Sequence, residues 1–238
     1  MTISLGMQIL AGSLVAIGAY FIGNISNAIM LSKIKGKDIR QCGSGNPGTM
    51  NMIRTYGKLM GLLTLILDVV KGIIPSLLGW LFMGNHEFLR LGADHVGLYI
   101  GGICAVLGHI YPVWLKFKGG KGVATILGVC LTAQPIWTAI FFFIGLLFLL
   151  FTKIGSLTSF FMMCPALTVE GIYASTSALG WVSALLVFFL FALTLFAHRA
   201  NLFKLFSGHE GRVVLRHSKT EKQNPDRSLA YQSFVIAE

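Results

Sequence analysis

Long uncharged runs of mostly apolar residues, separated by short polar segments, dominate the chain. Residues 5–31 contain no charged side chain, and a helix needs about 20 apolar residues to cross the hydrocarbon core of a membrane. Further apolar runs cover 59–83, 96–111, 123–151, 154–173 and 179–197. The pattern predicts an all-α fold, a polytopic membrane helical bundle.

Lysine and arginine are distributed unevenly between these runs. Of the 19 such residues, six lie in 32–58, three in 113–122 and seven in 198–238, whereas 84–95 contains only Arg90. We call the three basic stretches the first, second and third polar segments. Because lysine and arginine mark cytoplasmic loops, we place all three in the cytoplasm, with the N-terminus outside and the C-terminus cytoplasmic.

This orientation constrains the run 123–151, which stays uncharged for 29 residues and contains Gln134-Pro135 in its middle. The second and third polar segments share one side only if an even number of crossings separates them. We therefore predict a hairpin or a re-entrant turn broken at Gln134-Pro135, which makes about seven transmembrane helices in all. The half from Val123 to Ala133 is too short to cross alone.

The composition excludes an ordinary soluble domain. The chain is 55% hydrophobic and 12% charged, with a mean hydropathy of +0.74, whereas soluble domains carry about 25% charged residues. A net charge of +10 concentrated in loops favours anionic partners. Residues 1–216 are expected to form one integral membrane domain, and 217–238 a polar, mobile cytoplasmic tail.

The first polar segment contains Gly43-Ser44-Gly45-Asn46-Pro47-Gly48, followed by Asn51 and Arg54. It matches G-x-G-x-x-G, but no strand precedes it, so a dinucleotide-binding domain is not indicated. Closely spaced glycines still allow backbone N–H groups to converge on one anion. The alternative is a solvated turn between two spans.

The second polar segment ends in Lys118-Gly119-Gly120-Lys121-Gly122. This composition favours an oxyanion site, although a Walker A loop would need Ser or Thr after the lysine. The alternative is a basic turn that only satisfies the charge rule, which does not explain the glycines. His109, just before this segment, is either a packed or interfacial histidine or a substrate contact.

The third polar segment begins with His198, and Asn201 and Leu202 would share its face on a helix. The alternative is an amphipathic helix on the membrane surface.

Within the second span, Asp68 and Lys71 stand at i, i+3 and are either functional or a structural ion pair. The four cysteines show no metal-ligand or disulfide spacing, and no metal or redox cofactor is expected.

Taken together, four motifs occur in a specific order. They are Gly-Ser-Gly-Asn-Pro-Gly…Asn-x-x-Arg, Asp-x-x-Lys-Gly-x-x-Pro, Gly-His…Phe-Lys-Gly-Gly-Lys-Gly-Val-Ala-Thr and His-x-x-Asn…Gly-x-Glu. In these motifs the chain resembles the bacterial membrane acyl-phosphate:glycerol-3-phosphate acyltransferases, the PlsY family. The resemblance runs from the first span to Glu210.

That resemblance implies a seven-helix fold in the bacterial inner membrane with a cytoplasmic active site. The implied reaction moves an acyl chain from acyl phosphate to the sn-1 hydroxyl of glycerol 3-phosphate, giving lysophosphatidate and phosphate. The implied partners are these two substrates and the lipid bilayer, with no nucleic acid. The implied catalytic residues are Ser44, Lys121, His198 and Asn201. The implied substrate-binding residues are Gly43, Gly45, Asn46, Gly48, Asn51, Arg54, His109, Lys118, Gly119, Gly120, Gly122 and Glu210.

Because an acyl phosphate is already activated, we hypothesise direct attack by the glycerol hydroxyl, with a substrate phosphate or His198 accepting the proton and Ser44 orienting a reacting group.

Two positions depart from the family pattern. Met50 stands where the family has threonine, and Lys204 where arginine is common, which removes a bidentate fork. Both changes leave open a divergent paralogue with altered substrate choice.

Other functional classes fit less well. An acyltransferase that uses His-x-x-x-x-Asp is excluded, because none of the six histidines has aspartate five positions on. A transporter or binding protein for organic phosphates could use the same anion sites, but the duplicated halves common in transporters are not found. A non-catalytic membrane scaffold would explain the charge asymmetry but not the glycines.

Overall fold

The computed structural model describes residues 5–83, 95–175 and 180–207. Glu210 and the predicted tail 217–238 lie outside the described residues. All regular structure within the described ranges is helical, which confirms the all-α prediction. The helices are α1 (Leu5–Gly23), α2 (Asn27–Ile34), α3 (Thr49–Tyr56), α4 (Lys58–Met83), α5 (Val96–Ile110), α6 (Val123–Ala133), α7 (Pro135–Thr152), α8 (Gly155–Ser175), α9 (Gly180–Ala197) and α10 (Arg199–Phe206).

Several of these helices have the length and composition of membrane spans. Within the described residues, four stretches are long and apolar enough to cross a bilayer. The helix pair α9 and α10, bent by 59°, brings the number to five if it forms one span. The chain is thus a multi-pass membrane protein, while the total of seven crossings stays a prediction.

The first apolar run has the length and composition of one membrane span but is not one helix. The sequence predicted an uninterrupted span over 5–31, whereas the structure separates α1 from α2 at residues 24–26. At the break, the buried Asn24 side chain donates to Tyr20 O at 2.7 Å and accepts from the Val113 backbone N–H at 2.6 Å. An amide side chain that bonds to the backbone competes with the helical ladder in this way.

The run 123–151 breaks at Gln134, as the sequence predicted, but its two halves occupy different surroundings. Seven residues of α6 are buried, including Ile126 and Val129, which are fully enclosed. By contrast, α7 exposes Ile136, Phe143 and Phe151 on its outer face. The 11 residues of α6 extend about 16 Å, roughly half of the hydrocarbon thickness. The short helix is therefore a core element, and α7 packs outside it.

Close helix packing in the centre of the bundle depends on glycine. At Gly79 and Gly101, an added Cβ would collide with the backbone carbonyls of Gly97 and Pro75 respectively, across the α4–α5 interface. Gly72 of α4 faces α6 in the same way. Small residues allow membrane helices to approach closely and gain van der Waals contact. This packing holds α4 directly against both α5 and α6, and α5 leads directly into the second polar segment.

Candidate functional site

The first polar segment forms a tight turn that requires glycine at two positions. Gly43 and Gly45 have φ of +54° and +69°, a left-handed conformation that residues with a Cβ rarely adopt. The buried side chain of Asn51 holds this turn: its amide nitrogen donates to Cys42 O at 2.9 Å and Ile39 O at 3.3 Å, and its oxygen accepts from Ser44 N–H at 3.1 Å. All polar atoms of the Asn51 amide thus serve the turn, and a direct substrate contact by Asn51 stays a prediction.

The second polar segment folds back on the end of α5. The backbone N–H groups of Gly119 and Gly120 donate to the carbonyls of Ile110 and His109 at 3.0 and 3.1 Å. A Cβ at Gly119 would lie 2.6 Å from Pro112 Cδ, and one at Gly120 would collide with His109 Nε2. Gly122, immediately before α6, has φ of +83°. Close packing and backbone conformation therefore explain these glycines, independently of any ligand.

The two segments face each other across one cleft of about 660 Å³. One wall comes from the first polar segment and the other from the second, and Gly120 lies close to Pro47 at their junction. Ligand sites typically enclose about 300–1,000 Å³, so the cleft is large enough for a small phosphorylated molecule. Its lining comprises Arg40, Ser44, Gly45, Asn46, Pro47, Trp114, Leu115, Lys116, Lys118 and Gly119.

A hydrogen bond joins the third polar segment to the second. The Lys121 ammonium donates to Asn201 Oδ1 on α10. His198 precedes α10 and is only 1% exposed, with its ring 5.0 Å from that of Phe160. Its Nδ1 lies 3.0 Å from Thr194 O, which can only accept, so the neutral ring carries its proton on Nδ1 and its lone pair on Nε2.

A buried polar network lies beneath the second polar segment. Lys71 and Asp68 of α4 form an ion pair at 3.0 Å, and Asn27 of α2 donates to the same carboxylate at 2.8 Å. The Lys71 ammonium also lies 2.8 Å from His109 Nδ1 and 2.8 Å from Ile25 O. The predicted Asp68–Lys71 pair is thus present, and it reaches His109, whose carbonyl accepts the Gly120 N–H of the second polar segment.

The charge at the mouth of the cleft is positive. Lys116 and Lys118 line it together with Arg40, which forms an ion pair with Asp38 at 2.7 Å. Hydrogen bonding to Arg40 holds the pKa of the Asp38 carboxyl below its ordinary value, and the carboxylate raises the pKa of the guanidinium. Asp38 thereby fixes the orientation of Arg40 while leaving part of its fork for another anion.

The structure brings together some of the predicted site residues and leaves others apart. Of the sixteen predicted residues, Ser44, Gly45, Asn46, Lys118 and Gly119 line the cleft. Gly43, Gly48, Gly120 and Gly122 belong to the same two polar segments but are not among the lining residues, and Arg54 lies in the last turn of α3. His198 is enclosed by protein, and Glu210 lies outside the described residues. The roles assigned to all sixteen stay predictions.

The predicted site residues did not include five residues that line the cleft: Arg40, Pro47, Trp114, Leu115 and Lys116. For Arg40 and Lys116 a signal existed, because each is a cation within six residues of a glycine-rich motif. Trp114 gave no signal, since a single aromatic residue after a span is typical of a membrane interface. Its ring lies 5.6 Å from that of Phe21 on α1, which brings the end of the first helix to the cleft.

Comparison with known proteins gives consistent results. The family model described as glycerol-3-phosphate acyltransferase matches residues 13–208. The glycerol-3-phosphate acyltransferase of Finegoldia magna is 38% identical over 201 residues, covering 84% of this chain and 95% of its own. That of Thermoanaerobacter pseudethanolicus is 39% identical over 204 residues, covering 84% and 94%.

Two solved structures are also similar. Both are of PlsY (YgiH), an integral membrane glycerol 3-phosphate acyltransferase. The glycerol 3-phosphate form has a TM-score of 0.70 at 35% identity, over 84% of this chain and 94% of that one. The lysophosphatidic acid form has a TM-score of 0.70 at 34% identity, over 86% and 96%. This chain, with its two glycine-rich segments facing one basic cleft, belongs to the glycerol-3-phosphate acyltransferase family.

Proposed function

We propose that this protein transfers an acyl chain from acyl phosphate to the sn-1 hydroxyl of glycerol 3-phosphate, producing lysophosphatidate and inorganic phosphate. The observation that carries the proposal is the single cleft shared by two glycine-rich, cationic segments. Family membership supports the acceptor, and the acyl phosphate donor is what the resemblance of the four motifs implies. The reaction would be an early step of phospholipid synthesis.

The electrostatics of the cleft support two phosphorylated substrates. Its lining contains three cations, Arg40, Lys116 and Lys118, and no acidic side chain. Lys121 lies just beyond, where it contacts Asn201. An arginine fork and ammonium groups bind phosphate by charge-assisted hydrogen bonds, which are about twice as strong as neutral ones. Trp114 and Phe21 provide an apolar edge at which the acyl chain can pass to the bilayer.

The proposed chemical step needs no protein nucleophile. The glycerol hydroxyl oxygen attacks the acyl carbonyl carbon, the new ester C–O bond forms, and the bond from that carbon to the phosphate oxygen breaks. Phosphate leaves with the bonding electron pair and accepts the hydroxyl proton. Catalysis then consists of positioning and of stabilising charge that develops on oxygen.

Four side chains receive roles in this step. Ser44 orients a reacting group from the first polar segment, and Lys121 stabilises the charge on the acyl phosphate. Asn201 holds the Lys121 ammonium in place. His198 is the alternative proton acceptor, through Nε2, but its 1% exposure favours the substrate phosphate for this role.

The deciding measurement is phosphate release by the purified protein given palmitoyl phosphate, with and without glycerol 3-phosphate. Release should require glycerol 3-phosphate and should fall roughly a hundredfold or more in Ser44→Ala and Lys121→Ala. Lys58→Ala is the matched control, because it removes an equal charge from an exposed position outside the cleft lining. Full turnover by Ser44→Ala would contradict the role of that serine.

A parallel assay distinguishes the donor. Lysophosphatidate should form from palmitoyl phosphate and not from palmitoyl-coenzyme A at equal concentration. Formation from the thioester at a comparable rate would overturn the proposed donor while leaving the acceptor unaffected.

We also propose seven crossings in the bacterial inner membrane, with the cleft facing the cytoplasm. The support is the concentration of lysine and arginine in the three polar segments. Lys35→Cys, in a variant without the four native cysteines, should react with a membrane-impermeant thiol reagent only after intact cells are permeabilised. Labelling of intact cells would reverse the orientation.

A further inference from the structure

The buried network of Asp68, Lys71 and His109 has no part in the proposed chemical step, yet it lies directly beneath the second polar segment. These side chains are 2%, 5% and 8% exposed. An ion pair taken out of water is costly unless its geometry satisfies both partners. Here each N–H group of the Lys71 ammonium has a partner, and one of these partners is the His109 ring.

Lys71 has three N–H groups and no acceptor. Its ammonium has three neighbours: Ile25 O at 2.8 Å, Asp68 Oδ1 at 3.0 Å and His109 Nδ1 at 2.8 Å. The first two can only accept from it. Because a charged lysine can only donate, the imidazole Nδ1 must also accept, and it cannot carry a proton.

A neutral imidazole without a proton on Nδ1 carries it on Nε2. The Nε2 atom of His109 faces the junction of the two polar segments, because a Cβ at Gly120 would collide with it and would lie 3.1 Å from Pro47 O. The His109 carbonyl meanwhile accepts the Gly120 N–H at 3.1 Å. Side chain and main chain of one histidine therefore both contact Gly120.

We propose that the Asp68–Lys71 ion pair locks His109 as the Nε2–H tautomer, and that His109 is a positioning residue which holds Gly120, and with it Lys118 and Lys121, against the first polar segment. The inference rests on the proposed function, since it assigns the network to binding of the acyl phosphate. Asp68 and Lys71 act only through His109. The break at residues 24–26 contributes by presenting the Ile25 carbonyl to the lysine.

Two substitutions of His109 separate this role from a purely structural one. In His109→Asn the side-chain oxygen can occupy the place of Nδ1 and accept from Lys71, but nothing reaches Gly120. In His109→Gln the amide N–H can occupy the place of Nε2, and Lys71 loses an acceptor. We expect the asparagine variant to be the more thermostable and the glutamine variant to have the lower KM for palmitoyl phosphate.

For the asparagine variant, KM should rise roughly tenfold while kcat changes much less, corresponding to about 1.4 kcal/mol of lost binding. The more thermostable variant, His109→Asn, should therefore be the one with the higher KM. If KM simply follows thermostability across both variants, the histidine is a packing residue and the proposal is overturned.

A double variant tests the ion pair without leaving a buried charge unpaired. Asp68→Asn/Lys71→Met should fold and should raise KM for palmitoyl phosphate as His109→Asn does. Thr64→Val is the matched control. It removes a fully buried hydroxyl from the same helix, and that hydroxyl donates to the Met60 carbonyl one turn earlier. An unchanged KM in the folded double variant, or an equal rise in Thr64→Val, would overturn the assignment of the pair.

The tautomer can be measured without any activity. In ¹⁵N-histidine-labelled protein in lipid nanodiscs, the His109 signals are identified by their loss in His109→Gln. Nδ1 should show the shift of an unprotonated nitrogen and Nε2 that of a protonated one. The opposite pattern, or two protonated nitrogens, overturns the inference even if the enzyme is active. Absence of acyl transfer by the wild type, with the expected tautomer, would instead overturn the proposed function.

Discussion

The two glycine-rich segments look alike in sequence, but Gly45 of the first and Gly120 of the second meet different physical requirements. In the first, Gly45 is needed because its φ angle is positive; Gly43 also has a positive φ, and a Cβ there would in addition collide with Asn51 Oδ1. In the second, Gly119 and Gly120 are needed because the backbone of α5 and the ring of His109 leave no space for a Cβ. One requirement concerns conformation and the other concerns volume.

The difference teaches that a glycine motif alone does not report how an anion site is built. A conformational requirement can be met in part by asparagine, which tolerates the left-handed region better than other residues with a Cβ. A requirement for space cannot, because any Cβ occupies the same volume. Substitutions can therefore separate the two segments.

The largest effect is expected from Gly120→Ala. The methyl group must displace His109 Nε2 or separate the two segments, and a displacement of about 1 Å can cost roughly a hundredfold in activity. Acyl transfer by purified protein measures the loss, and Gly120→Asn should be no better. Gly18→Ala, where an added Cβ meets nothing within 4 Å, is the control. Recovery of activity by the asparagine variant would remove the contrast between the segments.

A smaller effect is expected in the first segment, at Gly45, where φ is +69°. The left-handed conformation costs a residue with a Cβ about 1–2 kcal/mol. Gly45→Val should therefore raise the KM of the acyl-transfer reaction roughly tenfold, and Gly45→Asn should raise it distinctly less. Gly36→Val is the matched control, because Gly36 has φ of +84° with open space around it and lies outside the cleft lining. It should lower thermostability without changing KM. Equal KM values for the Gly45 variants would refute a conformational origin.

Arg40→Lys should have a moderate effect. The charge is kept, but the fork that contacts Asp38 and faces the cleft is lost. We expect KM for glycerol 3-phosphate or for the acyl donor to rise about threefold to tenfold, which corresponds to the net contribution of one hydrogen bond, about 1 kcal/mol. Initial rates at varied concentrations of each substrate identify which one Arg40 contacts. No change in either KM would show that Arg40 only lines the entrance.

The smallest effect is expected from Asp38→Asn. The pair with Arg40 is partly exposed, at 41% for the arginine side chain, and such pairs contribute about 0–1 kcal/mol. The pKa of Asp38 is lowered in the folded state. The carboxylate therefore contributes fully to the free energy of unfolding above its unfolded pKa of about 3.9, and this contribution is lost as the pH falls through the folded pKa. The difference in thermostability from the wild type should be constant from pH 7 to about pH 5 and shrink below about pH 4. A difference that grows as the pH falls would contradict this sign.

Much of the fold was predictable because membrane helices follow simple rules of length and charge. The break at Gln134-Pro135 was visible in the sequence, since proline at the start of a helix ends the preceding one. The separation of α1 from α2 was not predicted, because one of the two hydrogen bonds that hold the Asn24 side chain at the break comes from Val113, 89 positions along the chain.

The site was predicted less completely, for a related reason. Sequence patterns located the basic, glycine-rich segments and paired Asp68 with Lys71 through helical spacing. They left open whether that pair was functional, since its contacts with Ile25 and His109 depend on how α4 packs against its neighbours. Long-range packing, which no local pattern encodes, decides both the shape of the cleft and the surroundings of its histidine.

The arrangement of three acceptors around Lys71 also restricts which amino-acid changes position 71 can tolerate during evolution. Lysine and arginine codons differ by a single transition, and on most protein surfaces the exchange is harmless. At position 71 the planar guanidinium would bring five N–H donors, in one plane, to three acceptors arranged around a tetrahedral ammonium. Arginine at this position would therefore be rejected by selection, although the mutation that creates it is among the commonest available.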